Sequence, residues 1–452
     1  MARRLNVSRV ASVLFVAAML ASSPQSVVAS HDTLYVADGV AVGLGTSCNS
    51  PNYNTGDYDS DDDALRAALS ESLDDARIKT IFICAGTYAF DAPLDMSESV
   101  GVRRLELRGA GRDLTVLDGQ EATRFISAPM DVAELDYPCR SKGTFDVTLR
   151  DMTLEAFNGG ADWGGVIWYN GQLRMVNVLA TGNVADPGGS VIDNNGGCAD
   201  ILIIEDSEFE DNSTDGSESE GGTINMNGGI VRVRNSDFHG NTMDGGDSVG
   251  AVIHAAIVDV SGSVFTSNLA NDGYGGAIYA TDRLNVKDSE FTDNFASKQG
   301  GAIALSTSSA QISGSTFGGN SADDYGGAIA TVWDLDVDGH PGDLTISSSD
   351  FDNNAALLGD GGAVSFRGNG FAGNLIINGS TFKNSTAGED GGALYLYDAR
   401  YAKVIGSTFG NPVEEEDDNE AGDQGGERGG LQHGPVTRQD LRIVEVLVEQ
   451  GF

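Results

Sequence analysis

Residues 275–294 read Gly275-Gly276-Ala277-Ile278-Tyr279-Ala280-Thr281-Asp282-Arg283-Leu284-Asn285-Val286-Lys287-Asp288-Ser289-Glu290-Phe291-Thr292-Asp293-Asn294. Two motifs share this stretch. A glycine pair precedes a small and an aliphatic residue, and a Ser two places before a Phe leads to an Asn three places after it. The Phe motif recurs at Phe209, Phe238, Phe265, Phe291, Phe317, Phe351, Phe382 and Phe409, at spacings of 29, 27, 26, 26, 34, 31 and 27 residues. Its Asn recurs as Asn212, Asn241, Asn268, Asn294, Asn320 and Asn354, while Asn384 and Asn411 stand one place early. The glycine motif returns as Gly300-Gly301-Ala302-Ile303 and Gly326-Gly327-Ala328-Ile329. Looser copies begin at Gly164, Gly188, Gly221, Gly361 and Gly391, with a decayed one at Gly250-Ala251-Val252. Degenerate Phe-type copies are read at Leu154 and Leu179.

Repetition at a fixed period points to a stacked architecture. Short alternating runs between the motifs, such as Leu284-Asn285-Val286 and Leu375-Ile376-Ile377, read as strands. Helical periodicity is absent, and a unit of this length is too short for a propeller blade of roughly 40–50 residues. It fits one coil of a parallel β-helix, in which equivalent side chains of successive coils stack in ladders. The Phe column then fills the interior. The Asn column sits at a bend, bonding backbone and the amides above and below, and the glycine pair allows a sharp turn and close packing. The predicted fold is all-β, a single right-handed parallel β-helix over residues 80–411 with roughly a dozen coils.

These paired GGAI and FxxN motifs resemble the polymorphic outer membrane protein family, over about Ala156 to Asn411. The resemblance implies a right-handed β-helix shown at a bacterial surface, as an adhesin or passenger. It departs from the pattern in one respect. The 43 residues after Phe409 are too few for even an eight-stranded membrane barrel of tilted ~10-residue strands, although Ile443 to Val448 and Phe452 imitate a barrel's last strand. The acidic, Gly-rich residues 412–434 are expected to be disordered, and residues 435–452 are left unassigned.

Upstream, Asp61 to Asp63 are expected to cap a helix whose Leu65, Ala68, Leu69 and Leu73 line one face. Residues 31–79 would thus form an N-terminal cap. With the strands that follow it, this segment resembles the opening of pectate-lyase-like β-helix proteins. Four cysteines, Cys48, Cys84, Cys139 and Cys198, allow three connectivities. The pectate-lyase-like resemblance implies Cys48 with Cys84, which leaves Cys139 with Cys198.

Arg3, Arg4 and Arg9 before the apolar run Val10 to Ala21 read as a secretory signal over residues 1–30. The chain is expected to be exported, whether free, extracellular or at the outer-membrane surface, monomeric and without a transmembrane segment. A net charge of -40, from 27 basic and 67 acidic residues, excludes nucleic acid as a partner. It also disfavours polyanionic glycans unless a divalent cation bridges the surfaces. The expected partner is a glycan or a host or cell-surface ligand.

No catalytic set emerges from the sequence. His31, His239, His254, His340 and His433 share no spacing, and carboxylates are too abundant for any pair to stand out as a glycosidase pair. The reading is therefore a non-catalytic surface module with no assigned catalytic or cofactor-binding residue. A polysaccharide lyase or hydrolase is the alternative. Calcium is the candidate cofactor, because Asp334, Asp336, Asp338 and Gly339 open like a calcium loop, although Thr345 stands where its bidentate Glu belongs. Aromatics ahead of the glycine pair, Trp163, Tyr274 and Tyr325, are candidates for stacking on sugar.

Overall fold

A computed structural model describes residues 32–40, 42–43, 45–96, 103–128, 145–160, 164–194, 200–215, 221–306, 309–332, 342–368, 373–397, 399–410, 420–421 and 444–447. The expected signal segment lies outside these residues, as do Cys139, Cys198, Trp163, His31, His340, His433, Asn411 and the candidate calcium ligands Asp334, Asp336 and Asp338. The described chain is an all-β parallel solenoid. Its strands join into one sheet of 33 strands and a second of nine, and each strand of a coil pairs in parallel with its copy in the next.

One coil shows how the sequence builds this. Gly275 sits at φ +68°, and a Cβ on Gly276 would lie 2.1 Å from the carbonyl oxygen of Gly301 in the coil above. One glycine is thus required by backbone angle and the other by approach. The strand Ile278–Lys287 follows and turns Ile278, Ala280, Leu284 and Val286 inward, all fully or nearly fully buried. The chain then bends at Asp288 (φ 48°), runs through Glu290–Thr292, bends again at Asp293 (φ 55°) and enters Phe295–Ala296. Left-handed corners recur on both sides of each Phe strand, held by Asp, Asn, Gly or Ser, as at Asp206, Asn235, Gly262, Gly319 and Asn353. Asn and Asp tolerate that conformation best after glycine.

Three ladders run along the solenoid. The rings from Phe209 to Phe409 stack at centroid distances of 4.5 to 4.9 Å, within 16° of parallel. At the corner after each ring, Asn268 donates Nδ2 to Asn294 Oδ1 and to the Phe238 carbonyl, and Asn294 repeats this toward Asn320 and Phe265. Before each ring, the backbone N–H of one Ser donates to the hydroxyl of the next, as from Ser263 to Ser289 and from Ser289 to Ser315. These interior polar groups are thereby satisfied without water.

Several expectations are corrected. The pairing Leu154↔Ala180↔Phe209 puts Ala180, not Leu179, in the Phe column, and Asn183 then joins the Asn ladder below Asn212. Asn384 is no displaced ladder member: it occupies the left-handed corner (φ 52°), while Ser385 takes the buried place beside it. Ser60, not the aspartates, is the N-cap of the helix Asp61–Asp74. Asp61 to Asp63 fill its first turn, where negative charge suits the helix dipole. Buried Asp62 accepts hydrogen bonds from the N–H groups of Asp91 and Ala92, tying helix to coil. Ala64, Leu65, Ala68 and Leu69 pack on the solenoid, with Leu73 partly buried.

The sheet itself starts inside the expected cap, where Thr33–Ala37 pairs with Thr80–Ile83, and Cys48 is disulfide-bonded to Cys84. Within the acidic tail, Glu420–Ala421 pairs with Thr386–Ala387. Val444–Leu447 continues the solenoid parallel to Tyr401–Ile405.

Candidate functional site

In each Phe strand the ring points inward, so the residues on either side of it point outward. Register stacks these into two exposed columns. One runs Glu208, Asp237, Val264, Glu290, Thr316, Asp350, Thr381 and Thr408. The other runs Glu210, His239, Thr266, Thr292, Gly318, Asp352 and Lys383.

Over their C-terminal half the columns line a groove of about 590 Å³, bounded by Glu290, Thr292, Thr316, Asp350, Asp352, Thr381, Lys383 and Thr408. Gly318 forms its floor, and a Cβ there would meet nothing within 4 Å. The groove owes its depth to that missing side chain. Two of its three carboxylates are engaged. Asp352 takes Lys383 Nζ at 3.1 Å on Oδ2 and Asn384 Nδ2 at 2.9 Å on Oδ1, and Glu290 accepts from Thr292 Oγ1 at 3.1 Å. What remains is Asp350, an acceptor, and the hydroxyls of Thr316, Thr381 and Thr408, which both donate and accept.

At the N-terminal end of the same columns, His239 Nε2 lies 3.2 Å from both Glu208 Oε1 and Glu210 Oε2, and Arg112 pairs with Glu208 Oε2 at 3.1 Å. The other described histidine is set quite differently. His254 is 5% exposed, stands in a column between Asn225 and Tyr279, and meets the Tyr279 ring edge-on at 5.4 Å. Burial lowers its pKa from 6.5 to about 4 and pushes Tyr279 up to about 12.

Two of the aromatics expected to stack on sugar, Tyr274 and Tyr325, are occupied by the protein. Tyr274 is buried beside Tyr279 with Lys298 Nζ 4.9 Å from its ring centre, and the Arg367 guanidinium covers Tyr325 at 3.5 Å. Arg367 in turn pairs with buried Asp360 at 2.8 Å. The outward columns were missed in the sequence, although one signal was present. The residues just before and just after each Phe are the ones that vary in polarity while the ring stays fixed.

No described helix is long and apolar enough to cross a membrane. No curated protein matches the chain. Among solved structures it is similar to the catalytic unit of a thermostable GH87 alpha-1,3-glucanase from Streptomyces thermodiastaticus strain HF3-3, at 16% identity, over 84% of this chain and 73% of that one, with a TM-score of 0.44. It is also similar to the Azotobacter vinelandii mannuronan C-5 epimerase AlgE6 A-module, at 15% identity, over 79% and 98%, with a TM-score of 0.41. Neither likeness bears on what this chain binds. Residues 262–281 and 288–306 match the Chlamydia polymorphic membrane protein repeat.

Proposed function

We propose that the protein is a surface or extracellular binding module, adhesin- or passenger-like, that holds an extended neutral glycan along the Phe-strand groove without cleaving it. The groove is the observation that carries this reading. It runs along the coil axis and presents Thr hydroxyls on the coils of Phe291, Phe317, Phe382 and Phe409, with Asp350 and Asp352 between them on the Phe351 coil, so a hydroxyl-bearing chain meets donors and acceptors along its length. The acidic surface disfavours a polyanionic chain. Hydrolysis needs two carboxyl groups disposed across a sugar, one of them able to act as acid or base. Here Asp352 and Glu290 are held by neighbouring side chains. The matched repeats support display at a cell surface, the setting of the proteins for which that repeat is named.

Affinity electrophoresis through neutral and acidic polysaccharides tests the proposal. The full chain should be retarded by a neutral polymer and release neither reducing nor unsaturated ends from it. Gly318→Trp should abolish the retardation while leaving the melting temperature unchanged, because its Cβ meets nothing within 4 Å and the ring is directed into the groove. Equal retardation of the variant would remove the groove as the site, and sustained release of chain ends would establish an enzyme.

A further inference from the structure

We infer that Glu208, Glu210 and His239 form a divalent-cation site of the zinc type at the N-terminal end of the exposed columns. The three residues come from two coils. Glu208 and Glu210 flank Phe209, and parallel register sets His239 directly above Glu210. One ligand atom from each lies within 4.8 Å of the other two. The imidazole Nε2 stands 3.2 Å from each carboxylate. Ligands held about 2.0–2.1 Å from a tetrahedral zinc lie about 3.3 Å apart, so the two spacings from Nε2 match a shared metal.

The chemistry of the donors agrees. One nitrogen and two carboxylate oxygens suit zinc or a neighbouring first-row ion better than calcium, which takes oxygen ligands alone. Two carboxylates neutralise a divalent cation, and three protein ligands leave a fourth position open to water or to a bound molecule. Arg112 holds the far oxygen of Glu208 at 3.1 Å, which fixes the rotation of the carboxylate and directs Oε1 toward the imidazole. The competing arrangement is a charged imidazole clamped between two carboxylates. In it Nε2–H donates to Glu208 Oε1 at 3.2 Å with Glu210 alongside, and no metal is held.

Calorimetric titration of the full chain with zinc chloride, in buffer containing excess magnesium, distinguishes the two. A site gives one zinc per chain, and His239→Ala together with the separate Glu208→Gln/Glu210→Gln variant should each weaken binding by tenfold or more. Cobalt bound in place of zinc should give the visible absorption of a four-coordinate ion, absent from both variants. Circular dichroism and melting confirm that each variant is folded, and His239→Gln serves if the Ala variant is not. Unchanged zinc affinity in the variants, or zinc uptake that magnesium suppresses fully, leaves only the ion clamp and overturns the site.

Discussion

Phe291→Ala should lower the unfolding free energy by about 3–5 kcal/mol, the range for deleting a buried aromatic side chain. The upper part of that range is expected here. The ring is fully buried, with Phe265 at 4.8 Å below and Phe317 at 4.9 Å above. Removing it ends two stacking contacts, each worth about 0.5–1.5 kcal/mol beyond its buried area. The hole has no easy way to close. Strands Val264–Thr266, Glu290–Thr292 and Thr316–Gly318 stay hydrogen-bonded in register, and that ladder fixes the spacing between the neighbouring rings. Phe291→Leu keeps most of the volume and should cost less. Urea denaturation of the three proteins measures this. A loss under about 1 kcal/mol for the Ala variant, well below the usual cavity cost, would show that the coil backbone rather than the stack holds the solenoid. In stacked repeats stability divides into coil and interface terms, so a lower denaturant slope in the variant would mark uncoupling of the two halves.

The same ladders explain why the fold was legible. Phe, Asn and Ser at fixed offsets are side chains whose partners are copies of themselves one coil away, so the repeat in the chain is also the contact in space. Where that identity breaks, the reading slips. Ala180 stands in the Phe column without an aromatic to mark it, and Leu179 beside it drew the assignment by one place. Asn384 carries the ladder's residue type in a corner, because corner and ladder both favour Asn for different reasons, one backbone angle and the other amide pairing. The outward positions were harder still. Glu208 and Glu210 become neighbours of His239 only through register across 29 residues, and nothing in either residue type announces a partner at that distance. The groove depends on Gly318, where a Cβ would meet nothing within 4 Å and the φ angle demands no glycine, so nothing in the residue type announces that it opens space rather than permitting a turn.

His254 was the least legible group, since it follows the decayed glycine motif Gly250-Ala251-Val252 at a position that faces outward in the coil and is nonetheless buried. Strand Ile253–Ser261 turns Ile253 into the interior and His254 to the other side, where Val249, Tyr274 and Tyr279 belong to a separate apolar cluster. Asn225 lies below it, Tyr279 above, and its Nδ1 has no hydrogen-bond partner. The nearest acid in that column is Asp193, two coils away and bonded to Asn225. No carboxylate therefore stabilises the protonated ring, and desolvation dominates, lowering the pKa from 6.5 to about 4. The consequence for stability has a definite sign. Above pH 6.5 the ring is neutral folded or unfolded and contributes nothing to the pH dependence. As the pH falls from 6.5 toward 4, the unfolded chain takes up the proton first, and the folded state loses about 3 kcal/mol before the difference levels off. Protonation of the many carboxylates overlaps this range and acts on every variant alike, so the measurement is a difference. Unfolding free energies of wild type and His254→Asn, taken from pH 7.5 to 3.5, should converge on acidification by roughly that amount, because the amide cannot take up a proton. Parallel curves would mean that the buried ring is protonated as readily as in water, and that the cover over this column opens far more than its burial implies.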